Sequence, residues 1–377
     1  MTGRLLPYLG RAFAAHDRVE VRDHRFRRTL IRERQTEGMT GHAVDESTIF
    51  ETPLLELDLN LESDAAVYAK AEWFNLYEAP HGGGSIKSRI AKGMLDGAEE
   101  RGDLEPGVTV IEPTSGNTGS EVARLAGARG YDVEIVMPDN AAGGKVEAVR
   151  DAGAEIHFVD ADLGYDAVIE RCEEIVAADP AAYYRPNQYE NPDNPGTHER
   201  TTAREIHAAT DGGVTHFVAG AGTGGTITGT GRGLTNLTDG AAEIVGFEPE
   251  EPLHAIDGLK YLRTGDHYHP ETYDESVLDR KLYVPTDDAY DRARALRERD
   301  ANDPIPIADA GQYDAETIRE HLRVDGQFVV GTSAGAGAAA VAALDAAGDL
   351  ADDDAVVFML CDRGDKYADI PLWEEYL

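Results

Sequence analysis

The chain has 377 residues, of which 71 are acidic and 35 basic, for a formal charge of −36. That charge repels phosphate backbones and excludes a nucleic-acid-binding body. A hydrophobic share of 41% excludes wholesale disorder, and no apolar run approaches the roughly 20 residues that span a bilayer. The length fits two domains or one large α/β unit, and 40 glycines with only 7% aromatics point to many tight loops. The two cysteines, Cys172 and Cys361, make no disulfide framework and have no partner at metal-ligand spacing. No metal site is expected, and a soluble protein in a reduced cytoplasm fits. Seven basic residues are lysines and the other 28 are arginines. Excess carboxylates with scarce lysine fit a protein made for a salt-rich, halophilic cytoplasm, where such a surface is screened.

Residues 1–35 hold nine arginines against four carboxylates, a net of +5 that leaves −41 for the remainder. We read residues 1–50 as a basic N-terminal extension that docks on the acidic body or on a partner subunit. From about residue 50 the pattern alternates. Strands are predicted at Val67–Phe74, Thr109–Ile111, Val133–Met137, Glu155–Val159, His216–Ala219, Glu243–Glu248 and Ala355–Leu360. Helices are predicted at Ser88–Arg101, Thr118–Arg129, Lys145–Ala152, Tyr165–Ala178, His198–Ala209, Thr226–Leu234, Asp287–Arg299 and Ala334–Ala347. This order argues for two doubly wound, mostly parallel open-sheet domains of the α/β class. Asn187–Pro195 is a plausible crossing between them, which sets the domains at 51–195 and 196–377.

Four segments carry candidate chemistry. Gly82-Gly83-Gly84-Ser85-Ile86-Lys87-Ser88-Arg89 places a lysine at a helix start after a glycine run. The positive helix end and the neighbouring Arg89 both disfavour a protonated amine there, which suits Lys87 to a Schiff base with an aldehyde cofactor. A plain surface lysine is the alternative. Glu112-Pro113-Thr114-Ser115-Gly116-Asn117-Thr118-Gly119 joins a strand to a helix and forms either an anion site fit for an amino-acid carboxylate or a well-capped helix. Gly220-Ala221-Gly222-Thr223-Gly224-Gly225-Thr226 can cradle a phosphate with backbone N–H groups. It also matches G-x-G-x-x-G, with Glu248 ending the next strand, so a nicotinamide oxidoreductase is formally available. Gly331-Thr332-Ser333-Ala334-Gly335-Ala336 reads as close helix packing, or Ser333 could bond a heteroaromatic nitrogen.

These four segments in this order resemble the cysteine synthase and cystathionine β-synthase family, pyridoxal-phosphate enzymes of the tryptophan-synthase β fold. Asn187-Gln188-Tyr189-Glu190-Asn191-Pro192 and Cys361-Asp362-Arg363-Gly364-Asp365-Lys366-Tyr367 are similar to the family too, so the resemblance covers about residues 50–377. It implies that Lys87 holds the cofactor as an internal aldimine and that Asn117 bonds its ring hydroxyl. It places Gly222, Thr223, Gly224, Gly225 and Thr226 on the phosphate, and Ser333 at the pyridine nitrogen. Thr114, Ser115, Thr118 and Gln188 are implied as the holders of the substrate carboxylate. The implied reaction is β-replacement on an activated serine, O-acetylserine or O-phosphoserine. Lys87 takes the α-proton, the β group departs to leave an α-aminoacrylate, and sulfide or another thiol adds to give L-cysteine. Neutral Ser333 opposite the ring nitrogen favours β-elimination over chemistry that needs a full carbanion sink. Cystathionine β-synthase activity is the nearer alternative, and serine or threonine dehydratase the more distant one. A non-catalytic scaffold would have no use for the lysine and both anion loops. Such enzymes are usually homodimers.

The chain departs from the family pattern in three places. Seven residues, 76–82, separate Asn75 from Gly83 where relatives have about one. Ser88 stands where relatives have an aspartate. The first 50 residues are extra, a feature of some archaeal O-phosphoserine sulfhydrylases, which this chain also resembles around residues 187–203. Lys260 and Arg263 follow Gly258, where the family has a loop facing the leaving group. Either could read an anionic leaving group such as phosphate.

Overall fold

The computed structural model describes residues 44–114, 116–263, 269–299, 304–368, 370 and 372. The arginine-rich segment 1–35 and Ser115 lie outside these residues. The strands are β1 (Leu54–Glu56), β2 (Ala66–Ala71), β3 (Thr109–Pro113), β4 (Val133–Pro138), β5 (Glu155–Val159), β6 (Tyr183–Tyr184), β7 (His216–Gly220), β8 (Glu243–Pro249), β9 (Arg280–Val284), β10 (Ile307–Asp309) and β11 (Ala355–Leu360). The helices are α1 (Ile86–Arg101), α2 (Asn117–Ala128), α3 (Gly143–Asp151), α4 (Tyr165–Ala178), α5 (Asp193–Arg200), α6 (Thr202–Ala209), α7 (Gly225–Leu237), α8 (Thr286–Arg299), α9 (Ala315–His321) and α10 (Thr332–Ala346).

The strands form two sheets. The smaller is all parallel in the order β5-β4-β3-β6. Its apolar strands are covered on both faces, as parallel sheets require. Leu95 of α1, Val122 and Leu125 of α2 and Val149 of α3 pack on one side with Val110 and Ile135. Val168 and Cys172 of α4 pack on the other with Ile111 and Val136. The larger sheet runs β10-β1-β2-β11-β7-β8-β9, with only the pairs involving β1 antiparallel. Val341 and Leu344 of α10 and Leu296 of α8 cover one face. Ile206 of α6, Ile227 and Leu234 of α7 and Ile86 of α1 cover the other. The doubly wound α/β architecture is therefore as expected. The sheets interleave along the chain, however, since β1 and β2 pair within the sheet built mainly from residues after 216.

Several element boundaries shift for local reasons. The predicted strand 67–74 ends at Ala71, and Glu72–Phe74 turn into a 3₁₀ helix that carries the Glu72 carboxylate inward. The single helix expected at 198–209 is two helices, broken at Thr201 (φ −118°, ψ −73°). The Thr201 hydroxyl donates back to the Thr197 carbonyl (2.8 Å) and accepts from Arg89 (3.3 Å), so the side chain competes with the helix. Strands β1, β9 and β10 lack a clean apolar pattern: β9, at one edge of the larger sheet, reads Arg-Lys-Leu-Tyr-Val, and β10 at the other has only three residues. No helix among the described residues is long and apolar enough to cross a membrane, and no cluster of potential metal ligands occurs among them.

A largely buried ion network anchors α1. The Arg89 guanidinium spans Glu72 (Nε–Oε2 2.5 Å, Nη2–Oε1 2.9 Å) and Glu205 (Nη1–Oε1 2.6 Å, Nη2–Oε2 2.7 Å). Lys70 adds a second cation at 2.9 Å from Glu205, and the Thr52 hydroxyl donates to Glu72 at 2.9 Å. Two cations thus meet two carboxylates with most of their hydrogen-bonding capacity filled, the condition for charge to be tolerable in a core. Burial by itself would raise the Glu205 pKa, but Arg89 and Lys70 outweigh it and hold the carboxyl well below the usual range. A carboxylate with a depressed folded pKa contributes stability above its ordinary pKa and loses it as the pH falls toward the folded value. We predict that Arg89→Met destabilises the protein by about 3–5 kcal/mol at neutral pH in chemical denaturation, because it strands buried carboxylates. The variant should also lose less stability than the parent as the pH drops below about 4.5.

Candidate active site

Lys87 is the second residue of α1. Ser85 caps the helix, its hydroxyl accepting from the Lys87 N–H at 3.1 Å, while Ser88 Oγ accepts from the Ser85 N–H at 3.1 Å. Ser88 also donates to Glu121 Oε2 of α2 at 2.9 Å. A carboxylate therefore stands beside position 88 after all, supplied by a different helix. The glycine run is a steric necessity: a Cβ on Gly84 would fall 1.7 Å from the Asn75 carbonyl oxygen. The lengthened loop is tied down by side chains. Arg124 donates to the carbonyls of Pro80 (2.6 Å) and Gly83 (3.1 Å), Lys366 to that of Gly84 (2.8 Å), and His81 pairs with Asp151 (2.7 Å).

Burial is what lowers the Lys87 pKa, with the Cys361 and Asp362 side chains and Asp257 pulling partly against it. Arg89, expected to contribute, is instead paired with Glu72 and Glu205. Lys87 as a whole residue is half-buried.

The segment 114–119 leads from β3 into α2. Thr114 and Thr118 are buried, and Thr118 Oγ1 donates to Gln188 Oε1 at 2.7 Å. Ser115, expected here too, lies outside the described residues. Gln188 is held by Glu112 at the end of β3, which accepts from the N–H groups of Asn187 (2.8 Å) and Gln188 (3.1 Å). Burial raises the Glu112 pKa to about 7 despite these bonds. At the first turn of α2, Asn117 donates from Nδ2 to Asp362 Oδ2 at 2.6 Å.

The loop 222–226 enters α7. Gly224 (φ +81°) adopts a left-handed conformation that glycine takes without strain. Side chains are excluded around it: a Cβ on Gly222 would fall 2.0 Å from the Gly258 carbonyl oxygen, and one on Gly225 1.9 Å from Asn194 Oδ1. Thr223 Oγ1 accepts from Asn194 Nδ2 (3.1 Å) and from the Gly225 N–H (3.3 Å). Thr226 Oγ1 lies 3.2 Å from His198 Nε2. Burial, reinforced by Arg89 and Lys87, keeps the His198 pKa well below its ordinary value, so the ring is neutral.

Contacts bring most of these parts together. Asp362 bonds Asn117 and acts electrostatically on Lys87. Burial pushes the Cys361 thiol up to about 12, with Lys87 and Ser333 at the start of α10 pulling against it. His198, 3.2 Å from Thr226, feels the charge of Lys87. Thr272 bridges the carbonyls of Thr223 (2.6 Å) and Tyr189 (3.2 Å), joining the glycine loop to the Gln188 segment. Lys260 belongs to this group: its backbone N–H bonds the Ala221 carbonyl at 2.9 Å. Its ammonium lies 5.0 Å and 4.8 Å from the ring centres of Tyr165 and Tyr189. Arg263 does not join them; it stacks on Tyr283 at 3.4 Å, part-exposed, near Glu248.

Glu112, Asp362 and Tyr367 lie inside the motifs but carried no individual role there, and the Lys145–Asp257 ion pair, in which Lys145 also lies over the Tyr367 ring at 4.8 Å, falls in none of them. Scarcity of lysine was the one signal that could have drawn attention to Lys145.

The arrangement fits pyridoxal phosphate. Its donors are a desolvated amine, a neutral serine, a glycine cradle at a helix N-terminus with no space for side chains, and a buried amide. Asn117 Oδ1 is buried without a partner, a polar atom of the kind a bound group would meet.

Residues 46–362 match the family model described as pyridoxal-phosphate dependent enzyme. The cysteine synthase of Aquifex aeolicus is 39% identical over 254 residues, 66% of this chain and 75% of the relative. Among solved structures, O-ureido-L-serine synthase superposes with a TM-score of 0.72 at 29% identity, covering 88% of this chain and 95% of the other. The cysteine synthase of Entamoeba histolytica gives 0.71 at 26% identity, covering 95% and 94%. With the lysine, the two anion loops and the doubly wound sheets in place, the chain belongs to the pyridoxal-phosphate-dependent enzyme family, in its cysteine synthase group.

Proposed function

We propose that the protein is a cysteine synthase that replaces the β-substituent of an activated serine with sulfide to give L-cysteine. The observation that carries this reading is the half-buried Lys87, whose amine burial biases toward the neutral form, beside Asp362, which bonds Asn117 at the start of α2. A neutral amine can bond an aldehyde carbon and can take a proton from carbon; an ammonium can do neither. Pyridoxal phosphate, when bound through Lys87, supplies the electron sink that makes the α-proton acidic and lets the β-group leave. In this reading Gly222–Thr226 hold its phosphate, Asn117 its ring hydroxyl and Ser333 its ring nitrogen. Thr114, Ser115, Thr118 and Gln188 orient the substrate carboxylate, which places the α-proton at the Lys87 nitrogen. Glu112 keeps Gln188 in place through the backbone. The purified protein should be yellow, and borohydride should bleach it and fix the cofactor on Lys87. Lys87→Ala should leave any bound cofactor removable by dialysis and reduce cysteine formation to background. A colourless protein, inactive when given pyridoxal phosphate, would refute this reading.

Lys260 gives the substrate reading a direction. Burial lowers its pKa, and it lies on Tyr165 and Tyr189, next to the residues proposed for the carboxylate. A cation so placed favours a phosphate as leaving group, and hence O-phosphoserine over O-acetylserine. We predict that Lys260→Ala lowers kcat/KM for O-phosphoserine by about tenfold more than for O-acetylserine, the worth of one charge-assisted contact. Arg263→Ala, whose guanidinium is turned onto Tyr283, should change neither. Equal losses on both substrates for Lys260→Ala would count against phosphate recognition.

We also propose that the enzyme is a cytoplasmic homodimer adapted to high salt. The acidic, lysine-poor composition supports the salt reading, and the absence of a membrane-crossing helix among the described residues is compatible with it. Light scattering in concentrated KCl should return twice the chain mass, and the unfolding temperature should rise with KCl. A monomer mass, or stability indifferent to salt, would overturn the respective part.

A further inference from the structure

One buried carboxylate next to the site has no role in the reaction outlined above. Asp362 follows β11, is 1% exposed and links the two sheets: its Oδ2 accepts from Asn117 Nδ2 of α2 at 2.6 Å and from the Tyr367 hydroxyl at 2.6 Å. Its position is prepared by the surrounding backbone. The Gly331 N–H donates to the Asp362 carbonyl at 3.2 Å, and a Cβ on Gly331 would fall 1.9 Å from Asp362 Oδ1, so only glycine leaves the carboxylate its space. Tyr367 is itself buried, and burial with the neighbouring Asp362 charge holds its phenol protonated, so it donates.

The chemistry of the pair decides how the Asn117 amide is turned. An ionised carboxylate only accepts, whereas an amide has a donor end and an acceptor end. The Asn117 NH₂ must therefore face Asp362. One of its two hydrogens is engaged there and one is left. A free asparagine at a helix start would sample both orientations. This one is clamped by a short, charge-assisted bond, the stronger class of hydrogen bond.

We propose that Asp362, clamped by Tyr367, is a positioning residue that holds the Asn117 amide with its remaining N–H toward the ring hydroxyl oxygen of the cofactor. The inference rests on the placement of Asn117 in the proposed site. Asp362 acts through Asn117.

The test is a double-mutant cycle read on pyridoxal-phosphate affinity, by fluorescence titration, and on the visible absorption band of the bound cofactor. Asp362→Leu should weaken cofactor binding about tenfold and shift the band. Asp362→Asn, whose side-chain carbonyl can still accept, should recover part of both. In an Asn117→Ala background, Asp362→Leu should change affinity by less than about twofold. An equal loss in both backgrounds, or an unmoved band in Asp362→Leu, would overturn the proposal, since a merely structural role gives additive losses. If Asp362→Leu does not fold, Tyr367→Phe keeps the carboxylate and removes one clamp; it should show the same dependence on Asn117 at smaller size, and additivity would again refute the idea. Unchanged cofactor binding in Asn117→Ala alone would instead remove Asn117 from the site, an outcome distinct from failure of the Asp362 role.

Discussion

The Arg89 network is the constraint on which the rest of the site depends. Arg89 lies two residues after Lys87 on the same helix, and its guanidinium reaches the end of β2 through Glu72 and α6 through Glu205. Buried charges of this kind are costly to separate, so each partner holds the others in one geometry. The first turn of α1 is thereby seated against both the larger sheet and the helix pair beyond it. The Ile86 N–H bonds the Cys361 carbonyl at 2.9 Å, so the helix that carries Lys87 starts where β11 stops. Carboxyl ends of strands in open α/β sheets are where ligand sites form.

Close backbone approach completes the seating. A Cβ on Gly229 of α7 would fall 2.0 Å from the Pro195 carbonyl oxygen, and one on Gly93 of α1 would fall 1.9 Å from Thr197 Oγ1. Helix α5 is therefore wedged between the lysine helix and the helix of the glycine loop, with no space for a single methyl. None of the seven lysines is exposed. Lys70, Lys92, Lys145 and Lys281 are in ion pairs, Lys366 bonds the Gly84 carbonyl, Lys260 lies on two tyrosines, and Lys87 is the candidate reactive amine. The surface is left to carboxylates and arginines, whereas local chemistry is done by dipoles, hydroxyls and a few enclosed cations.

Much of this was legible in the residues. Glycines before Lys87 and around Gly224 mark backbone that cannot carry side chains, and Thr114, Asn117 and Thr118 mark a helix start open to an anion. The two-sheet α/β architecture followed from the alternation of short apolar strands with helices. Other features escaped because they depend on residues far apart in sequence. Arg89 was expected to act on Lys87, yet it is spent on Glu72 and Glu205. Ser88 looked like a lost carboxylate, but Glu121 on α2 restores one at 2.9 Å. Lys260 and Arg263 were equivalent candidates in the chain, three residues apart; folding points one at Tyr165 and Tyr189 and the other at Tyr283.

The sequence by itself determined the family and marked the candidate lysine and the two candidate anion loops, because these are contiguous motifs whose physics is local: a capped helix start, a glycine turn, an unpaired row of N–H groups. Only the tertiary structure decided what surrounds them. The cause of the Lys87 shift is burial, the Asn117 amide is turned by Asp362 from the other sheet, and Gln188 is held by Glu112 at the end of β3. Desolvation and the pairing of buried polar groups are properties of three-dimensional neighbourhoods, and a chain read in order has no measure of them.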